Sequence, residues 1–180
     1  MLNANVRSLN QASAPVQGAF AFENILADGY GLVSINMPPG VYMKKILLNG
    51  ADAPRYGLEF GHSMQDHFQI LVGADGGRVS CMVADGKENP VVGASVRLFA
   101  ADTASEVEFA TASLVDTTDQ FGQCEFSGVP PGKYRIMASP QVPLEPTALR
   151  TLWNKRGSAA EIEVGPGAAV SSTLHVVEIR

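Results

Sequence analysis

The side chains best suited to chemistry lie in two short stretches of the 180-residue sequence. The first, GHSMQDH, carries His62, Asp66 and His67, and imidazole with carboxylate is a ligand set that zinc accepts. A zinc site needs about three or four converging ligands, so two histidines that flank a predicted loop are more typical of solvated side chains. Ser63 lies between them without the second glycine of a nucleophile elbow.

The second stretch surrounds the predicted turn DQFG and brings together the carboxylates of Asp116, Asp119 and Glu125. Calcium takes about six to eight oxygen ligands. An aspartate that opens a tight turn accepts backbone N–H bonds, so a turn-forming role explains Asp119 better than calcium does. No glycine-rich phosphate loop leads from a strand into a helix. We therefore predict no metal, no cofactor and no catalytic activity.

Aromatic side chains offer a second type of site. Trp153 with Tyr30, Tyr42 and Tyr56 could form a platform on which sugar rings stack. The alternative is that Trp153 anchors a helix to the core and that the tyrosines belong to strands. A carbohydrate- or peptide-binding accessory module is therefore the second functional hypothesis.

The elements that position these residues are predicted to be strands. Glycines and prolines interrupt the chain about every eight to twelve residues, and the intervening runs alternate apolar and polar residues, which is typical of an all-β sandwich. One of these runs, FATASLVDTT, is predicted to be a strand. The segment PTALRTLWNKRG instead has helical spacing, with Thr147 as the expected N-cap and Gly157 after its end.

Charge and hydropathy exclude several classes of partner. The net charge is −5 with the charged residues scattered, which gives no surface for nucleic acid. No apolar run approaches the roughly 20 residues that span a bilayer. Partners are expected instead to be other copies of the chain or neighbouring domains.

An internal repeat divides the chain into two domains. The stretch SAPVQGAFAFENILADGYGLVSI aligns with TTDQFGQCEFSGVPPGKYRIMAS at a constant offset. The second copy lies within seven predicted strands, a complete sandwich over residues 76–180. The first copy begins only at the equivalent of the fourth strand, so residues 1–75 are predicted to form an incomplete sandwich with an N-terminal arm.

The incomplete first domain presents a sheet without a second layer. A fully buried large apolar side chain contributes roughly 1.5–3 kcal/mol, so this sheet needs a cover from the arm, from the second domain, from another copy or from residues outside this sequence. The residues expected to form this assembly face are Val6, Leu9, Phe20, Phe22, Tyr30 and Leu32.

The stretches VADGKENPVVGASVRLFA and TTDQFGQCEFSGVPPGKYRIMA resemble the carboxypeptidase regulatory-like domain, which belongs to the transthyretin-like, or prealbumin-like, β-sandwich group. The match is carried by residues such as Asp85, Pro90 and Gly93, and by a set that defines turns: Asp119, Gly122, Pro130, Pro131 and Gly132. The resemblance implies two tandem Ig-like or prealbumin-like units. It also implies an extracellular, cell-surface or periplasmic location and no catalysis.

Two positions depart from the pattern of this family. Cys81 replaces its glycine and Cys124 its phenylalanine, and both have the parity of core-facing residues. Two such replacements in one domain indicate a disulfide, and the extracellular tendency of the family favours it. The alternative is a pair of buried free thiols.

These observations predict a non-catalytic extracellular module with a structural, assembly or adhesion role. Strand sharing needs only main-chain hydrogen bonds along a sheet edge and alternate side chains in a groove. If donor and acceptor lie on different copies and the geometry does not close, the product is a filament.

Overall fold

The fold is described from a computed structural model of the chain, which covers residues 29–31, 38–53, 56–60, 66–140 and 145–177. The chain divides into two compact units. The first comprises Met1–Ile35 and Lys45–Leu71, and the second comprises Asn36–Lys44 and Val72–Arg180. Among the described residues, no helix combines the length and the apolar character needed to cross a bilayer.

In the described part of the chain, five strands precede the sandwich: β1 (Gly29–Gly31), β2 (Tyr42–Leu48), β3 (Ala51–Ala53), β4 (Tyr56–Glu59) and β5 (Phe68–Gly73). β1 pairs with β4, and the other three form a sheet of order β3-β2-β5. In the first unit, Ile46 and Leu58 are buried. The ring of Phe60 makes edge contacts with Tyr30 and Phe68, at centroid distances of 5.7 and 6.0 Å.

The second unit contains the seven strands of a two-sheet sandwich, which confirms the all-β prediction. The strands are β6 (Gly77–Ala84), β7 (Ser95–Ala100), β8 (Leu114–Thr117), β9 (Gln123–Val129), β10 (Gly132–Ser139), β11 (Ala160–Val164) and β12 (Ala169–His175). A narrow sheet has the order β12-β6-β9, and a wide sheet has the order β11-β10-β7-β8. β12 runs parallel to β6.

Alternation along the strands builds the core between the two sheets. In β6, Val79, Cys81 and Val83 are buried whereas Arg78 and Met82 are exposed. The same period of two in β9 turns its apolar side chains inward. The core also contains these buried residues of the other strands of both sheets: Val96, Leu98, Phe126, Val129, Ile136, Ala138, Val164 and Leu174.

The wide sheet is buried on both faces, because two helices cover its outer side. These are α1 (Glu106–Ala112) and α2 (Pro146–Asn154), and α2 is followed by a 3-10 helix (Arg156–Ser158). The cluster between sheet and helices is Phe99, Phe109, Met137 and Leu152, with Trp153 and Val177 packed against it. Double coverage explains why every residue from Ser95 to Phe99 is buried.

The strand predicted for FATASLVDTT is wrong in its first half. Helix α1 begins before it, and only Leu114–Thr117 form a strand. The cause is a helix start signal upstream. The Ser105 hydroxyl accepts a hydrogen bond from the N–H of Glu108, and the carboxylate of Glu108 accepts one from the N–H of Ala104. The first bond satisfies an N–H group that a helix start leaves free, and the second ties Glu108 to the residue before the N-cap.

The limits predicted for the second helix are also wrong. Its N-cap is Glu145 rather than Thr147, and Pro146 occupies the first turn, where its missing N–H costs no hydrogen bond. At the other end, the N–H of Lys155 bonds the carbonyl groups of the last turn. Gly157 lies in the 3-10 helix that follows.

A buried arginine connects α1 to the wide sheet. Arg97 on β7 is 8% exposed, and its Nη1 donates to the carbonyl oxygen of Phe109 at 3.0 Å. The guanidinium also lies 4.9 Å from the centroid of the Phe109 ring. Helix α1 has no basic residue in its last turn, so Arg97 supplies the positive charge that favours a helix C-terminus. Burial lowers the pKa of Arg97.

Glycines let the segment before β2 pack closely against the sandwich within the second unit. The N–H of Gly76 bonds the carbonyl of Gly40 at 2.9 Å. Gly128 has a φ of +67°, and a Cβ placed on it would lie 2.7 Å from the carbonyl oxygen of Val41. The backbone of this segment therefore occupies the space that a side chain at residue 128 would need.

The substitution Gly128→Ala is expected to lower the free energy of unfolding of the second unit by about 1–3 kcal/mol, because alanine is strained at positive φ. The overlap of its Cβ with the backbone adds to this loss. Gly86→Ala is the matched control, since nothing lies within 4 Å of its Cβ position. Urea denaturation of both variants measures the difference. Equal free energies of unfolding would contradict the proposed close packing.

Candidate functional site

The outer face of the narrow sheet forms a shallow groove of about 540 Å³. Its floor carries mostly polar side chains in rows across the three strands. One row is Ser171, Ser80 and Glu125, and the next is Thr173, Met82 and Gln123. The outer face of the narrow sheet is therefore mostly polar, whereas the outer face of the wide sheet is covered by helices.

Two carboxylates beside this groove serve the main chain of β9. The Oδ1 of Asp119 accepts hydrogen bonds from the N–H groups of Phe121 and Gln123, at 2.8 and 2.9 Å. The Oδ2 of Asp116 accepts from the N–H of Glu125 at 3.3 Å. The N–H groups of Gln123 and Glu125 on β9 point away from β6. The two aspartates therefore cap a sheet edge. The sequence indicated the turn bond of Asp119 but not the edge bond of Asp116.

The histidine stretch supplies a loop contact in the first unit. The side chain of Asn49 donates from Nδ2 to Asp66 at 2.9 Å and accepts at Oδ1 from the N–H of His67 at 2.8 Å. His62 and Ser63 lie outside the described residues. Within the described part of the chain, no three His, Cys, Asp or Glu side chains are placed to hold a metal ion.

The predicted disulfide is present. Cys81 and Cys124 lie directly opposite each other on β6 and β9, with a Cα–Cα distance of 5.3 Å. Both side chains point into the core and are 4% and 7% exposed. The bond thus joins the central strand of the narrow sheet to its edge strand.

The turn-defining residues fix the connections around β9. Gly122 has a φ of +72°, and a Cβ there would lie 2.8 Å from the carbonyl oxygen of Val83. In the next turn, Pro131 and Gly132 lead into β10. The Tyr134 hydroxyl donates to the carbonyl of Pro130 at 2.8 Å, and burial raises the pKa of this hydroxyl.

A similar turn precedes β7. The carboxylate of Asp85 accepts hydrogen bonds from the N–H groups of Asn89 and Lys87, and these bonds lower its pKa. A lowered carboxyl pKa stabilises the fold above the pKa of the unfolded chain, and this contribution is lost as the pH falls through the folded value.

Three of the aromatic residues proposed as a sugar platform make other contacts in the structure. The guanidinium of Arg156 lies over the ring of Trp153 at 3.7 Å from its centroid, and Phe109 packs against the same ring at 5.6 Å. Tyr42 donates its hydroxyl hydrogen bond to Asp75 at 3.2 Å. Tyr30 contacts Phe60 instead.

Of the predicted assembly face, only Tyr30 lies within the described residues, and it is half-buried in β1. The remaining five residues fall outside them: Val6, Leu9, Phe20, Phe22 and Leu32.

The sequence analysis missed the edge of β12 as a candidate surface. Ala169–His175 form a seven-residue edge strand without a lysine, arginine, aspartate or glutamate. Natural edge strands are commonly protected by charges or proline, but the sequence does not show that this strand lies at an edge.

Comparisons with known proteins give a consistent but distant set. No family profile and no curated protein matches the chain. Among solved structures, the chain is similar to the group B streptococcus pilus 2b backbone protein, with 20% identity over 63% of this chain and a TM-score of 0.36. It is also similar to BcpA, the major pilin subunit of Bacillus cereus, with 14% identity over 76% of this chain and a TM-score of 0.40.

A streptococcal ancillary pilin is a further similar structure, with 19% identity over 77% of this chain, 45% of the pilin and a TM-score of 0.37. The chain spans 44% of the group B streptococcus protein and 40% of BcpA.

Proposed function

We propose that the chain is a non-catalytic, extracellular structural or adhesion module that associates with other copies by strand sharing. The observation that carries this proposal is the contrast between the two units. The second unit has seven strands, a closed core and a disulfide. The described strands of the first unit include three of only three or four residues.

The disulfide supports the extracellular part of this proposal. Disulfides persist in secreted and cell-surface proteins and are rare in reducing compartments. The turn residues Asp119, Gly122 and Pro130–Gly132 adopt the tight connections that the carboxypeptidase regulatory-like pattern requires. We therefore propose that the chain belongs to that family.

The proposed donor is the N-terminal arm, residues 1–15, with Val6 and Leu9 at alternate-face spacing. The proposed acceptor is the apolar face that contains Phe20, Phe22 and Leu32. An arm from a neighbouring copy would contribute main-chain hydrogen bonds at an edge. Either Val6 or Leu9 would pack against that face, because the two side chains lie on opposite faces of an extended strand. Association of this type would extend from copy to copy.

The double substitution Val6→Ser/Leu9→Ser is expected to abolish concentration-dependent association by this route, because it removes the two apolar anchors of the arm. Sedimentation velocity of the full-length variant and of a chain lacking residues 1–15 measures this. The substitutions Asn5→Ser and Asn10→Ser are the matched control. Identical mass distributions for the wild type and both arm variants would disprove strand sharing by the arm.

A further inference from the structure

The outer edge of β12 carries main-chain groups without partners in the described structure. The N–H of Arg78 bonds the carbonyl of Ala168, and Ala169 pairs with Arg78 in the parallel register. In a parallel ladder, this register directs the N–H and C=O groups of Val170, Ser172 and Leu174 toward β6. The groups of Ala169, Ser171 and Thr173 therefore point outward, and all three residues are exposed. Beyond Thr173 the chain pairs with β10, because Val176 forms a parallel bridge with Ala138, and this pairing directs the carbonyl of His175 to the N–H of Ala138.

The other edges of the sandwich carry features that oppose pairing. The outward N–H groups of Gln123 and Glu125 on β9 are bonded by Asp119 and Asp116. β8 has only four residues, one of which is Asp116. β11 carries Glu161 and Glu163, and pairing of β11 with itself would place these carboxylates opposite each other. Short length and charge are the usual protections of sheet edges.

We propose that β12 is a self-association edge, along which a second copy of the chain adds its own β12 in antiparallel orientation. The two-fold axis passes beside Ser172. The outward N–H and C=O groups of Ser171 and Thr173 then all find partners, because residues 171 and 173 of the two copies form hydrogen-bonded pairs.

The side chains of β12 are complementary to those of a second β12 in this register. Val170 of one copy faces Leu174 of the other on the core side, so two apolar side chains meet. Ser171 faces Thr173 of the other copy on the groove side, so two hydroxyl groups meet. No formal charges oppose each other along the strand. The occupant is a second copy, because Val170 and Ser171 each meet a side chain of their own kind.

The expected association is weak. A pair of seven-residue strands buries less than the roughly 1,200–2,000 Å² of a stable interface, and the net gain per hydrogen bond is only about 0.5–1.5 kcal/mol. The dimer is therefore a contact that gains importance where copies are held at high local concentration. It uses the second unit alone and does not depend on strand sharing by the arm.

Disulfide trapping tests the orientation and the register. A mixture of the full-length variants Ser171→Cys and Thr173→Cys is expected to give a covalent dimer in a glutathione redox buffer, because the paired Cα atoms would lie about 5.5 Å apart. Each variant alone should give little dimer. The native cysteines are already joined and buried. A mixture of Ser127→Cys with Thr173→Cys is the matched control, since residue 127 lies on the β9 side of the sheet.

A dimer that forms equally with the control mixture, or no dimer with any mixture, would overturn the proposal. A dimer from Ser171→Cys alone would overturn the register. Deletion of residues 1–15 should leave the trapped dimer unchanged, and this result separates the proposal from strand sharing by the arm.

Sedimentation equilibrium at high protein concentration gives a second, independent measurement. Ser171→Lys places a charge at the edge without removing a bond to β6, and it is expected to weaken self-association at least about tenfold. Ser127→Lys is the control. Native disulfide content and the urea midpoint show that both variants fold. Equal dissociation constants for the two variants would contradict pairing along β12.

Discussion

The substitution Phe109→Ala is expected to lower the free energy of unfolding by about 3–5 kcal/mol, the usual cost of removing a fully buried aromatic ring. The Phe109 side chain is completely buried. Its ring lies 4.9 Å from that of Phe99 and 5.6 Å from that of Trp153, so it connects the sheet to both helices. Removing it leaves a cavity between the sheet and the two helices.

Phe121→Ala is the matched control for this prediction. Phe121 is 60% exposed in the turn before β9, and its removal is expected to change stability by less than about 0.5 kcal/mol. Urea denaturation monitored by the fluorescence of Trp153 reports on both variants. Similar losses in the two variants would show that α1 is not held by a close-packed cluster.

The double substitution Cys81→Ala/Cys124→Ala is expected to cost about 4 kcal/mol, because the bond closes a long loop in the unfolded chain. The two cysteines are 43 residues apart in sequence. Reduction of the wild-type protein should lower its urea midpoint to a similar extent, whereas reductant should leave the double variant unchanged.

The matched control for the disulfide is Met82→Ala/Gln123→Ala, which changes the next directly opposed pair on the same two strands. Both side chains of this pair face the groove, so the loss is expected to be small. Thiol titration of the unfolded, unreduced wild-type protein provides a direct check. Two reactive thiols there would contradict the disulfide and the stability difference together.

The sequence was sufficient to predict the sandwich of the second unit. Period-two alternation in stretches such as Arg78–Val83 and Gln123–Phe126 indicates one buried face. Glycine and proline mark where the strands end. These signals are local. The disulfide was predicted from the family resemblance, because Cys81 and Cys124 depart from its pattern at two inward positions.

Helix α1 was missed although its start signal lies in the sequence. Ser105 followed by Glu108 is a capping-box pattern, and the alternating residues FATASLV after it also suit a strand. Packing decided between helix and strand, since the helix places the ring of Phe109 against Phe99 and beneath the guanidinium of Arg97. Local patterns do not contain that information.

The edge bonds of Asp116 and the open edge of β12 depend on strand order. Whether a strand lies at an edge is set by pairing between distant segments, such as β12 with β6. A sequence pattern gives the two faces of a strand but not its neighbours. The acidic cluster could therefore be recognised in the sequence, while its task of capping β9 could not.

The parallel pairing of β6 with β12 has a mechanical consequence. The first strand of the sandwich lies beside its last strand, and the two run in the same direction. A pulling force applied before Gly77 and after His175 acts on the two strands in opposite directions. It therefore loads the hydrogen bonds between them in shear, all at the same time. The disulfide fastens β6 to β9 on its other side. Under tension applied at these two points, the hydrogen bonds between β6 and β12 would have to break together rather than one by one.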